Sequence, residues 1–322
     1  MRYDEYEASR TTPNIVVDGS PNEATVLTLS HWPGIPAPTG LARDLSAEMA
    51  FAYLDAPPDH PAADIVTNNH FDQDGLISIF ALTEPDAALP HRELLVDVAA
   101  AGDFATYRDR RAARAAMAMA RRGAAETTCS YSEFTHELYT ALLPEVLPMT
   151  LDDDRYRDLW GDEDAELTAS EQAIAAGRVT FDERPDLDLA IVTIDDGEPS
   201  RSGHRFGHDR FDGLHPMALH NATDRFRLLL IHGRTYRYVD RYETWVQYRS
   251  RPTLPRIDMR PLADELTALE SGRTRWTAGA PAALTPELAP GDESTIDRAV
   301  VTDAVVRHLR RGTDAGPIAV SR

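Results

Sequence analysis

The segment His70-Phe71-Asp72-Gln73-Asp74-Gly75 sets an imidazole and two carboxylates at alternating positions. In an extended backbone alternate side chains point to one side, so the three can converge on one cation. Oxygen-rich ligation with a single imidazole suits Mn²⁺ or Mg²⁺, with Zn²⁺ or Fe²⁺ as alternatives. The same residues also fit a plain acidic turn in which Asp72 and Asp74 cap the helix that follows. A calcium EF-hand does not fit: counted from His70, Ala81 stands where the loop needs its bidentate glutamate.

The elements that must position this segment are a strand over residues 64–67 and a buried helix over 76–82, a context in which an open α/β sheet places its ligand site. Residues 15–17 and 24–29 read as two further buried strands, ended by Asp18-Gly19 and by Ser30-His31-Trp32-Pro33-Gly34. Helical spacing is expected over 39–54 with Thr39 as cap, then over 91–101, 109–122, 132–147 and 163–176. The fold class is therefore α/β, with a parallel sheet in an N-terminal domain of residues 1–177. From 178 to 322 a smaller α/β domain is expected. Its strands fall at 179–181, 187–194, 225–232, 235–238 and 244–248, its helices at 260–270 and 296–311, with a poorly packed connection over 277–294.

Residues 65–78, with His-x-Asp-x-Asp-Gly after a strand, resemble the first motif of the DHH phosphoesterase superfamily. That superfamily includes exonucleases, oligonucleotide and cyclic-dinucleotide phosphodiesterases and manganese inorganic pyrophosphatases. The resemblance implies a DHH-like, two-domain α/β phosphoesterase with a paired Mn²⁺ site. Ile15-Val16-Val17-Asp18-Gly19 resembles its second motif, and Ser30-His31-Trp32 with the helix containing Ala47-Glu48-Met49 a worn Asp-His-His element. Val98 to Phe104 resembles the last motif, with Asp103 as ligand. The metal set implied is His70, Asp72, Asp74, Asp103, Asp18 and His31, in a permuted order because Asp18 and His31 precede His70. The chain is also similar to an uncharacterised bacterial family of comparable length.

In the second half, Tyr242 to Arg251 and Arg256 to Ala263 resemble the substrate-binding domain of DHH enzymes, which implies Arg249, Ser250 and Arg251 as substrate contacts. Arginine suits phosphate through bidentate, charge-assisted hydrogen bonds. The glycine-rich loop with histidine of that domain is replaced by Ser271 to Trp276. Histidines cluster at His204 and His208 and again at His215 and His220, without a recognised zinc spacing. His220 and His215 are the candidate proton donors and Asn221 a candidate substrate contact, the alternative being a surface histidine-rich loop.

Composition narrows the classes. The 322 residues carry 33 basic and 53 acidic side chains, a formal charge of −20 that repels long duplex nucleic acid. Every basic residue other than histidine is arginine, so lysine nucleophiles and Schiff bases are excluded. The single cysteine, Cys129, excludes a disulfide framework or a cysteine-rich cluster. No dinucleotide fingerprint, Walker loop or nucleophile elbow is visible. No apolar run reaches the length of a membrane span, and the N-terminus lacks a secretory pattern, so the expectation is a cytoplasmic protein, with a homodimer left open. The expected function is a metal-dependent hydrolase of a small phosphoester or phosphoanhydride acting through a two-metal-activated hydroxide. The alternatives are a metalloenzyme of non-phosphate biosynthetic chemistry and a non-catalytic ligand-sensing pseudo-enzyme.

Overall fold

The computed structural model describes residues 1–56, 60–125, 127–198 and 213–314. The described chain falls into two compact units, the first holding Met1–Ala165 with the short segment Val246–Ser250, the second the described residues from Glu166 to Trp245 and from Arg251 onward. Both mix helices with strands, so the chain is α/β.

The first unit is built on a four-stranded sheet of β1 (Arg2–Tyr3), β2 (Asn14–Val17), β3 (Thr25–Leu29) and β4 (Ile65–Thr67), in the order β1-β4-β2-β3. All three pairings are parallel. β2 is buried along its whole length, which is why Ile15, Val16 and Val17 run without polar alternation. The helices are α1 (Ser46–Asp55), α2 (Gln73–Thr83), α3 (Pro85–Ala88), α4 (Arg92–Asp103), α5 (Arg110–Gly123), α6 (Tyr131–Leu142), α7 (Val146–Leu151) and the first part of α8 (Arg157–Ala175). α2 is buried on every side from Gln73 to Leu82 and packs against α1 and α4, so it forms the centre of the unit. The alanine-rich α5 packs on α4 through buried Ala112, Ala113 and Ala116 and keeps Arg110 and Arg114 for Asp164 at 2.6 and 3.2 Å. It is a core helix and not a basic arm.

Two expected helices are corrected here. Residues 39–45 are not helical: Gly40 takes φ +81°, and Leu41 and Leu45 are buried as loop anchors. Helix α1 starts only at Ser46, where the first amides find a carboxylate partner described below. The span 132–147 breaks at Leu143–Glu145 because Pro144 has no amide hydrogen to continue the ladder.

The second unit centres on a six-stranded sheet of β5 (Val179–Arg184), β6 (Leu189–Ile194), β7 (Arg227–His232), β8 (Thr235–Asp240), β9 (Trp276–Ala278) and β10 (Glu287–Pro290), in the order β5-β6-β7-β8-β10-β9. β6 and β7 are parallel and the other pairs antiparallel. Alternate residues feed two cores. Leu189, Ile191, Leu229 and Ile231 join α10 (Arg260–Leu269) and α11 (Arg298–Asp314), whereas Ala190, Val192, Leu228 and Leu230 join Ala173 of α8 and Leu219 of α9 (Pro216–Ala222). The connection expected over 277–294 therefore contains two strands, anchored by Trp276 stacked on Tyr236 with ring centroids 5.7 Å apart. The strand expected over 244–248 is absent. A 3₁₀ turn over Tyr242–Thr244 ends the run, and the chain then passes into the first unit as Val246–Ser250. Among the described residues no helix is long and apolar enough to cross a membrane.

Candidate metal centre

The carboxyl ends of β2, β3 and β4 all open on one edge of the parallel sheet, and the loops leaving them carry Asp18, His31 and His70. Asp18 turns the chain with φ +45°, a left-handed conformation that costs a non-glycine residue energy and recurs at functional sites. Asp72 caps α2, its Oδ1 accepting the Gly75 amide at 2.8 Å. Asp74 lies in the first turn of that helix, and Asp103 is the last residue of α4.

These six side chains fall into two groups that share Asp18. Asp18, His31, Asp74 and Asp103 are all buried, and Asp18, His70 and Asp72 form the second group; within each group the ligand atoms lie within 4.8 Å of one another. Such a buried cluster of Asp and His can hold a metal ion. The Nε2 of His31 stands 3.4 Å from Asp18 Oδ1, 4.0 Å from Asp74 Oδ2 and 3.5 Å from Asp103 Oδ2. The Nε2 of His70 stands 2.7 Å from Asp72 Oδ2 and 3.4 Å from Asp18 Oδ2. Asp18 therefore presents one oxygen to each group. The first group is sealed, while the side chains of His70 and Asp72 remain 19% and 21% exposed.

The surroundings orient these ligands. His31 Nδ1 sits 2.5 Å from the Asp44 carbonyl, which accepts its proton and turns Nε2 toward the carboxylates. Both oxygens of Asp74 accept amides at the start of α1, from Ser46 and Ala47 at 2.7 Å each, which explains where that helix begins. Gly75 has no room for a side chain. A Cβ there would stand 2.3 Å from Asn68 Nδ2 and 2.6 Å from the Tyr139 hydroxyl, the group that donates to the His70 carbonyl at 2.9 Å.

Electrostatics follow from four carboxylates beside two imidazoles. Burial, with the charges of Asp18 and Asp72, pushes Asp74 well above the ordinary carboxylate range against the pull of its two amide donors. Burial and the Asp18 charge likewise raise Asp72 despite His70. Burial would raise Asp18 as well, but the adjoining His70 ring and His31 bring it down to about 2. His70 is raised well above its ordinary value because the Asp72 and Asp18 charges outweigh its burial. The Oδ2 of Asp18 is buried outside hydrogen-bonding geometry. The donor set of Asp and His fits a metal ion.

The remaining candidates have other partners. Arg249 and Ser250 belong to the first unit, where their amides and the Ser250 hydroxyl bond the Asp44 carboxylate, and the Arg249 guanidinium donates to Gln247 Oε1 at 2.8 Å. In the second unit Arg251 pairs with Asp188 at 3.0 Å and lies 3.5 Å over the Phe226 ring. His215 caps α9, its Nδ1 accepting the Met217 amide at 3.1 Å; His220 is buried in the same helix and Asn221 is exposed near its end. His204 and His208 fall outside the described residues.

Sequence reasoning did not single out Asp44, Ser46 or Gln247. The Gln247 amide donates to the His31 carbonyl at 2.7 Å, and its side chain donates to the carbonyls of Trp32 at 2.7 Å and Ile35 at 2.5 Å. Ser46 had a local signal, a cap-type residue just before the apolar run of α1, whereas the role of Gln247 is visible only in space.

A model described as "Family of unknown function (DUF6687)" matches residues 1–312. No curated protein and no solved structure matches the chain.

Proposed function

We propose that this chain, which belongs to the DUF6687 family, is a metal-dependent hydrolase of a small phosphoester or phosphoanhydride, related to the DHH phosphoesterases. The observation that carries the reading is Asp18, whose Oδ1 faces His31 and whose Oδ2 faces His70, the pose of a carboxylate that bridges two cations. Asp18, His31, Asp74 and Asp103 would hold one ion, and His70, Asp72 and the second oxygen of Asp18 the other. Paired ions of this kind, Mn²⁺ by preference here, activate water and neutralise charge on the attacking and leaving oxygens. The chain's own part is orientation. The Asp44 carbonyl sets the His31 ring, the α1 amides fix Asp74, and the partly exposed His70 and Asp72 leave substrate one open side. The permuted motif order is compatible with this reading, because a site is defined by strand ends in space and not by chain order.

A second reading, metal chemistry on a non-phosphate substrate, draws on the arginines. Arg249 is engaged by Gln247 and Arg251 by Asp188, so neither guanidinium is held ready for a phosphate.

The test is metal analysis and Mn²⁺ titration of wild type and Asp74→Asn, followed by a panel of phosphomonoesters, phosphodiesters and pyrophosphate. Two equivalents per chain and metal-dependent turnover that falls at least about 100-fold in Asp74→Asn are expected. Two equivalents without turnover on any phosphate would favour the second reading, and no bound metal would overturn both.

A further inference from the structure

We infer that Ser46 is a positioning residue whose hydroxyl holds Asp18 in its bridging pose; the inference rests on the paired-metal reading. Ser46 is fully buried and touches three of the four residues in the sealed ligand group. Its Oγ donates to Asp18 Oδ1 at 2.9 Å, the same Oγ receives the His31 amide at 3.4 Å, and its own amide donates to Asp74 Oδ2 at 2.7 Å.

Asp18 needs such a partner. Its backbone is already in the left-handed region, its Oδ2 makes no hydrogen bond in good geometry, and rotation of the carboxylate would let both oxygens turn to one ligand group. The Ser46 hydroxyl pins Oδ1 toward His31 and so leaves Oδ2 for His70. Placing that hydroxyl on the first residue of α1 ties the rotation of Asp18 to the helix end that also fixes Asp74. The two bonds are separable by mutation, because Ser46→Ala removes the hydroxyl and keeps the amide.

The experiment is a titration of the full-length, metal-free protein with Mn²⁺, following free Mn²⁺ and the spin coupling between bound ions by electron paramagnetic resonance. In Ser46→Ala the affinity is expected to fall about 10- to 100-fold, the size of effect typical for groups that orient metal ligands, and the coupled spectrum to weaken. Ser46→Gly should match Ser46→Ala, since both lack the hydroxyl. A Gly variant markedly worse than the Ala variant would assign the residue a packing role and overturn the inference. Wild-type protein that binds two coupled ions alongside variants with unchanged isotherms and spectra would overturn it while leaving the paired-metal reading intact. Wild-type protein that binds no Mn²⁺ would remove both.

Discussion

The buried carboxylates of the second unit and those of the Asp18 cluster in the first are treated in opposite ways. In the second unit Asp240 lies beside the equally buried Arg227, with Nε 3.6 Å from Oδ1, and accepts the Tyr238 hydroxyl at 2.8 Å; buried Glu243 is gripped by Arg241. Burial raises Asp240 and Glu243, but in each case an arginine charge is the chief opposing influence. In the first unit burial raises Asp74 and the next influences are further carboxylates. The carboxylates of the second unit are part of the architecture, whereas the cluster of the first gathers like charges around two imidazoles, a donor set that can hold a metal ion. In a chain where guanidinium groups are plentiful, the charges acting most strongly on Asp74 after burial are those of Asp18 and Asp72.

The comparison can be broken most forcefully at Arg227. Arg227→Met removes the chief opposing charge beside the buried Asp240, and urea unfolding should show a loss of about 3–5 kcal/mol; a loss below about 1 kcal/mol would mean that the pair is not the structural counterweight described. A smaller effect is expected at Gly75, where alanine must displace Asn68 or Tyr139. Overpacking of this kind costs about 1–3 kcal/mol, and the displaced Tyr139 should also weaken Mn²⁺ binding through the His70 carbonyl. The smallest concerns Glu270. Burial would raise it, but Ser294, Thr295 and Trp276 hydrogen bonds bring it down to about 2. A depressed carboxyl contributes stability above its unfolded value and loses it as the pH falls through the folded one. Acid titration of the wild type should therefore lose this contribution between about pH 4.5 and pH 2, and the Glu270→Gln variant should show a flatter slope there.

The parts of the molecule legible in the sequence are those governed by short-range pattern. The β-branched runs of β2 and β4, the strand-turn-helix carrying His70, Asp72 and Asp74, and the apolar runs of β6 and β7 all announce themselves within a few residues. Asp18, His31 and Asp103 required a family resemblance to be gathered to the same place. What could not be read is what depends on partners far along the chain. The start of α1 is set by Asp74, the fate of Val246–Ser250 by Asp44 and the His31 loop, and the edge strands β9 and β10 by pairing with β8. A propensity scan over 39–54 or 244–248 contains none of those partners.

The fastening of the His31 loop by Gln247 bears on the order of events during synthesis. All six residues of the Asp and His cluster have been translated once Asp103 is made, and β2 and β3 close over a short loop at little entropic cost. The side chain that fastens the Trp32 carbonyl comes from 215 residues away. A nascent chain thus holds every side chain of the cluster long before it holds the residue that fastens the His31 loop.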